Sequence, residues 1–410
     1  MISIADHEDP EAELATYHRV DAAAFGATRS SQQEAAKRPL IEPSRWFLAT
    51  LDDEPCGGAG SFATELTLPG GATVPAAAVS DVGVLPTHRR RGVAAALMSR
   101  QLEVAAQEGD AVAVLHASDA GIYGRFGYGV ATRWRQIRVD ARRATFRADR
   151  PTAAGRTRLV TREEAARCCP TVHDAARQHT PGGLARSAAW WDVVLGDSGA
   201  YLGGDPEQLV LVHEDDDGSP DGYAIYRVHQ EWSGGQAAHT LAVWELVGTS
   251  PAVELDLWAT LVAHDLIDTV TGPIRVDHEL RDVVVDARQV GVRWDQDLLW
   301  LRLLDVEAVL GARSAGSEDS VVVEVVDGFR PRTGGRFLLV GDGDQLRCAR
   351  TEAPSELRLD IDDLGALTLG GGSARALARA GRIELGHRDA ATRLDRLLGT
   401  DPMPWCWVRF

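Results

Sequence analysis

The chain has little cysteine, no long apolar run and no excess of positive charge, and each shortage removes a class of protein. Five cysteines, Cys56, Cys168, Cys169, Cys348 and Cys406, are scattered over 410 residues. Their odd number and irregular spacing argue against a disulfide framework, and no C-x-x-C pair points to zinc. They read as small buried fillers, and no metal is expected. No apolar run approaches the roughly 18 residues that a membrane span needs. The acidic start, Met1 to Glu13, lacks the basic-then-apolar order of a signal peptide, so a cytoplasmic protein without a membrane partner is expected. A formal net charge of -17 disfavours nucleic acid, whose phosphates it would repel. The same charge favours a cationic partner such as a polyamine or an aminosugar.

What is present is the composition of a globular protein, 44% hydrophobic and 25% charged, in a chain too long for one core. Two or three domains are expected, with provisional limits at 1–150, 151–298 and 299–410. In the first, residues 45–51 and 56–68 read as strands joined by the turn Asp52-Asp53-Glu54-Pro55, and 76–85 as a third strand stopped by Pro86. Residues 91–107 carry a helical stripe, Val93, Leu97, Met98, Leu102 and Ala105, and 111–116 (AVAVLH) a short buried strand. Strand, helix and strand in this order predict a parallel pair. The middle segment predicts helices over 163–178 and 253–263 and strands over 208–213, 222–228 and 239–247. The last predicts strands over 320–326, 336–340 and 356–361 and helices over 373–380 and 389–398. The acidic run 214–222 lacks the ligand spacing of a calcium loop and reads as a hairpin loop. Gly370-Gly371-Gly372 does not fit G-x-G-x-x-G, and reads as a tight loop onto a helix.

The chemistry is concentrated in residues 79–95, VSDVGVLPTHRRRGVAA. A strand ends at Pro86, and three arginines and a glycine open a helix. A helix start offers unpaired N–H groups and a favourable dipole to a pyrophosphate such as that of coenzyme A. Gly92 permits close backbone approach, small Ala94 and Ala95 leave room, and the arginines add charge. The spacing Arg89-x-x-Gly92-x-Ala94 resembles the R/Q-x-x-G-x-G/A pattern of the GNAT acetyltransferases, which implies acetyl-CoA as co-substrate. In that fold the preceding strand, here Val82, Gly83 and Val84, offers main-chain hydrogen bonds to the pantetheine arm and the acetyl carbonyl, in the manner of an oxyanion hole. Downstream, His116 to Gly129 is too rich in glycine for a plain helix. It holds Tyr123 and Tyr128, either of which can supply a proton to a departing thiolate.

A wider resemblance rests on LHAS-DAG-IYGRFGYG taken with PTHRRRG, on LWLRLLDVEAVLGAR, on LTLGGGSARALARAGRIE and on the end at Phe410. Together these resemble the Eis family of GNAT acetyltransferases. The resemblance implies an α/β (α+β) chain of two tandem GNAT-like domains, only the first holding acetyl-CoA, followed by a sterol-carrier-like α/β domain. It implies a homohexamer built as a trimer of dimers. It makes Tyr123 the general acid ahead of Tyr128, and adds Ser118 and Asp119 to Val82, Gly83, Val84, Arg90, Arg91, Gly92, Val93, Ala94 and Ala95 in the acetyl-CoA site. The α-carboxylate of Phe410 becomes the base, and the acceptor pocket is lined from the N-terminal region and the second domain. The expected activity is acetyl transfer to a primary amine of a polycationic molecule, aminoglycoside-like or polyamine, directly within a ternary complex. Acetylation of protein lysines and carriage of an apolar ligand by the last domain are the alternatives.

Overall fold

In this computed structural model the described residues are 1–4, 10–26, 34–35, 37–196 and 207–410. They form two seven-stranded sheets and a five-stranded sheet with helices packed on them. The first sheet begins with strands β1 (Ile2–Ile4), β2 (Trp46–Leu51), β3 (Glu54–Thr67), β4 (Thr73–Val84) and β5 (Val112–His116), with helix α1 (Pro10–Phe25) between β1 and β2. The turn from β2 to β3 has positive φ at both Asp52 (53°) and Asp53 (67°), the hand that matches strand twist and that aspartate tolerates. Strand β4 pairs parallel with β5, Ala76–Ala78 against Val112–Val114, through helix α2 (Val93–Gln107), as the sequence predicted. All five apolar residues of the α2 stripe are buried.

The sheets cut across the expected limits at 150 and 298. After the short strand β6 (Gly129–Val130) the chain passes directly into β7 (Arg133–Asp140), which sits inside the second sheet. No glycine- or proline-rich linker marks that passage. Conversely, Leu299–Leu303 pairs antiparallel with β5 and β6 and so belongs to the first sheet. All five of its residues are buried, which suits a strand covered on both faces.

The second sheet continues with β8 (Arg156–Val160), β9 (Leu209–Glu214), β10 (Pro220–His229), the hairpin strands β11 (Trp232–Ser233) and β12 (Gln236–Ala237) beside it, β13 (His239–Gly248), β14 (Ile267–Ile274) and β15 (Val290–Asp297). Its helices are α4 (Arg162–Arg177), α5 (Ala188–Leu195) and α6 (Pro251–Val262), the label α3 being kept for the single turn Ala120–Tyr123. Helix α4 starts in a capping box of Thr161 and Glu164. The acidic run is a hairpin turn, its Asp215 carboxylate accepting from the N–H groups of Asp217 and Ser219.

Leu299–Leu303 is β16. The third sheet follows, with order β19-β18-β17-β20-β21: β17 (Ser320–Val326), β18 (Gly335–Gly341), β19 (Leu346–Arg350), β20 (Leu357–Asp360) and β21 (Glu384–Leu385). Four helices accompany it, α7 (Val306–Ala312), α8 (Ile361–Thr368), α9 (Ala374–Arg379) and α10 (Ala390–Leu398). The triple glycine is a tight loop onto α9. A Cβ at Gly370, whose φ is 86°, would stand 2.6 Å from Thr400. One buried cluster joins all three sheets, from Leu66 and Val112 through Trp190 and Leu301 to Val323 and Trp407. The last residues are therefore part of a shared core and not a loose tail.

Candidate active site

The site opens where β4 and β5 part. Their pairing stops at Ala78 and Val114, and β4 then bulges against β3, since Gly60 faces Ser80 but Gly58 faces Gly83. The bulge centres on Asp81, which has φ 54°. It turns the backbone of Val82–Val84 toward the gap. Gly83 is fixed by space, because a Cβ there would lie 2.8 Å from that of Ala24 on α1.

Beyond Pro86 the chain makes two left-handed steps, at Arg90 (φ 61°) and Gly92 (φ 88°), and enters α2. No side chain caps the helix start. The first backbone N–H groups of α2 thus face the gap without an intrahelical partner. Gly92 is demanded by its φ and not by crowding, since a Cβ would meet only Ile2 at 3.7 Å. On the far side Asp119 caps the short helix α3, accepting from Gly121 N–H at 2.9 Å.

Between these walls lies a cavity of about 840 Å³. Val82, Gly83, Val84, Arg90, Gly92, Val93, Ala94, Ala95, Ser118 and Asp119 line it, which brings together every expected acetyl-CoA residue except Arg91. Arg91 is exposed and lines none of the cavities described here. Arg89 and Arg125 add positive charge. Open amides, guanidinium groups and apolar walls in one cleft fit a phosphorylated cofactor with a thin pantetheine arm.

A second cavity of about 290 Å³ shares Phe25, Val82, Ser118 and Tyr123 with the first, and also touches Lys37, Ser80, Asp81, His116 and Phe410. Tyr123 therefore stands where the two meet. Burial, and then the negative charge of Asp119, raise its phenol above the ordinary value, so it keeps its proton at neutral pH. Tyr128 lies 6.1 Å from it, ring centre to ring centre, and lines neither cavity. Tyr128 is wholly buried beside Arg302, whose guanidinium pairs with Asp327. Of the two tyrosines left open by the residues alone, only Tyr123 faces the gap.

The C-terminal segment arrives from the third domain. Trp405 N–H donates to the carbonyl of Pro181 at 2.8 Å, and the Arg409 guanidinium lies between the rings of Trp134 and Trp244, at 4.9 and 4.6 Å. The ring of Phe410 then packs on His116, Phe62 and Trp190, with centroids 4.7, 5.3 and 6.4 Å away. A third, narrower cavity, walled by Tyr17, Trp46, Phe62 and Trp190, shares Lys37, Ser80 and Asp81 with the second. Among the described residues no cysteine lines any of these three cavities.

Residues 9–131 and 182–303 each match the acetyltransferase (GNAT) domain family, and residues 306–407 match the sterol carrier protein domain family. Over 343 residues the chain is 38% identical to N-acetyltransferase Eis of Mycobacterium tuberculosis, which covers 82% of this chain and 81% of that protein. The chain belongs to the Eis family of N-acetyltransferases. It is also 36% identical over 406 residues, 97% of each chain, to an uncharacterised N-acetyltransferase of Streptomyces avermitilis. The solved structure of Eis1 from Mycobacterium abscessus superposes with a TM-score of 0.86 at 33% identity over the full length of both chains. Two GNAT domains followed by a sterol-carrier-like domain, and membership of an acetyltransferase family whose domains use acetyl-CoA, are thereby shown.

Sequence reasoning left several residues of this Eis-family site unnamed. His116 closes the expected strand 111–116, but its role depends on contacts with Leu298 and Val408. Phe329 reaches the large cavity from the third domain. Phe25 and Trp46 line cavities from the N-terminal region. Lys37, the sole lysine of the sequence, carried no local signal. No helix among the described residues is long and apolar enough to cross a membrane.

Proposed function

We propose that the protein moves the acetyl group of acetyl-CoA directly to a primary amine of a polycationic small molecule, an aminoglycoside or a polyamine. The observation that carries this reading is the meeting of the basic, amide-lined cavity and the cavity holding Asp81 and Phe410 at one buried phenol, Tyr123. Acetyl-CoA supplies an activated thioester when bound in the larger cavity. The α2 start with Arg89 and Arg90 would hold its phosphates, and Ser118 and Asp119 the opposite wall. Main-chain groups of Val82–Val84 orient and polarise the acetyl carbonyl. Tyr123 keeps a proton ready for the departing sulfur, which its raised pKa supports.

The acceptor arrives from the other side. Asp81 and Phe410 line that cavity, and their carboxylates would give it negative charge for an ammonium group. An ammonium of pKa about 10 must lose a proton before attack, and a carboxylate is a weak base unless burial raises its pKa. The carboxylate of Phe410 therefore acts by orienting the ammonium and relaying its proton through water. The absence of cysteine from the cavities, among the described residues, suits transfer without an acyl-enzyme.

Acetyl-CoA binds the first domain alone in this reading, in a cytoplasmic homohexamer. The exposed edge strand β15, with Val292 and Trp294 at 38% and 41% exposure, supports self-association. Sedimentation measures the assembly. The activity is tested by thiol release from acetyl-CoA with spermine, a kanamycin-type aminoglycoside and a lysine peptide. Turnover with the first two supports the reading, turnover with the peptide alone favours protein acetylation, and none with any amine overturns it.

A further inference from the structure

His116 ends β5 at the rim of the acceptor cavity. Its ring touches two carbonyl oxygens, one on each nitrogen: Leu298 O lies 2.9 Å from Nδ1 and Val408 O lies 2.9 Å from Nε2. Burial lowers the imidazole pKa to about 4, opposed by the hydrogen bonds to Val408 and Leu298, which raise it. A neutral imidazole has one N–H, so the two carbonyls compete for one proton. Leu298 leads into β16, which is already held by pairing on both sides. Val408 lies two residues before Phe410, which lines the cavity and whose ring stands edge-on to the His116 ring.

We propose that His116 is a positioning residue that donates Nε2–H to the carbonyl of Val408 and thereby fixes where the carboxylate of Phe410 stands in the acceptor cavity. This rests on the reading of that carboxylate as the group that orients the ammonium and relays its proton. The ring itself neither touches the thioester nor takes the ammonium proton. It sets the distance between the base and the amine, and a misplacement of about 1 Å costs up to ~100-fold in rate.

Glutamine and asparagine separate the two contacts, because the Gln amide nitrogen reaches the place of Nε2 and the Asn amide nitrogen that of Nδ1. His116→Gln is expected to keep kcat with spermine within about threefold. His116→Asn is expected to lower kcat roughly tenfold or more while leaving the KM for acetyl-CoA and the melting temperature near those of the parent. Carboxypeptidase digestion followed by intact mass gives a readout independent of activity, and Phe410 is released faster from His116→Asn than from His116→Gln. The same pair is then made in a chain extended by Gly-Gly, which carries the carboxylate about 7 Å onward. If the extended parent is fully active, the carboxylate is not the base, and the proposal falls with it. If the extension is damaging and His116→Asn adds a further loss, the ring acts on its own account and the proposal is overturned. Equal losses in Gln and Asn, or the reverse order, overturn it as well. No additional loss in the extended chain, with Gln above Asn in the parent, establishes it.

Discussion

The first and second sheets carry the same local plan, a strand, a helix and a parallel strand, yet the gaps at their splayed ends measure about 840 and 10 Å³. In the second sheet β13 pairs parallel with β14 around α6, just as β4 pairs with β5 around α2. The helix starts differ in every respect that matters to an anion. Helix α6 is capped by the Ser250 hydroxyl, which accepts from Val253 N–H. It has Pro251 in its first turn, which lacks an N–H, and Glu254 as an acid beside the dipole. Helix α2 has a glycine, no cap and a run of arginines. The gap itself is also filled in the second sheet, by Trp258, Trp405 and Trp407. A shared topology therefore does not carry a shared site: a few residues at one helix start open it or seal it.

The contrast breaks first at the phenol. Tyr123→Phe should lower kcat by roughly 100-fold or more and leave acetyl-CoA affinity by calorimetry almost unchanged, because only the proton donor is lost. Tyr128→Phe, behind it in the core, should stay within a few-fold in kcat. Comparable losses in both would mean that the position of the phenol relative to the cavity is irrelevant. Next in size is the helix start. Gly92→Val forces a β-branched residue into φ 88°. The KM for acetyl-CoA should rise about tenfold or more, whereas Glu254→Gln in the second domain should leave that KM unaltered. A parallel effect of both changes would place cofactor in both domains.

A smaller effect concerns acid stability. His116 has a folded pKa of about 4 against an ordinary 6.5, so the unfolded chain binds the extra proton first. Its contribution to stability is complete above pH 6.5 and is lost as pH falls toward 4. The slope of melting temperature against pH in that window should be shallower in His116→Gln than in the parent. The smallest effect is expected at Lys37. Lys37 lines both the second and the third cavity, and Lys37→Gln should lower the KM for spermine a few-fold and leave that for acetyl-CoA unchanged. A raised spermine KM would show that Lys37 aids the acceptor instead of repelling it.

The part of the site that was legible in the sequence is the part whose chemistry requires neighbours in the chain. A phosphate site needs a strand end, a permissive backbone step and a bare helix start in succession, and Val79 to Ala95 show all of these in one string. Tyr123 was legible as one of two tyrosines, and needed the cavity wall to separate it from Tyr128. What stayed hidden depends on residues far apart. His116 finds Val408 across 292 positions, and Phe329 enters the large cavity from another domain. No local periodicity encodes either. The limits at 150 and 298 failed to follow the sheets for the same reason: β7 begins with no composition break, and LWLRL reads as a buried strand without saying whose.

That strand also sets a timetable. The first sheet gains the strand between β5 and β6 only from Leu299–Leu303, some 180 residues after β5. At ~5–20 residues per second, a ribosome needs on the order of 10–40 s to deliver it. Until then β5 lacks the neighbour that pairs with its second edge in the finished sheet. The first sheet is thus among the last to be completed, so that a shortened product ending near residue 150 would lack one of its inner strands and would be a substrate for chaperones.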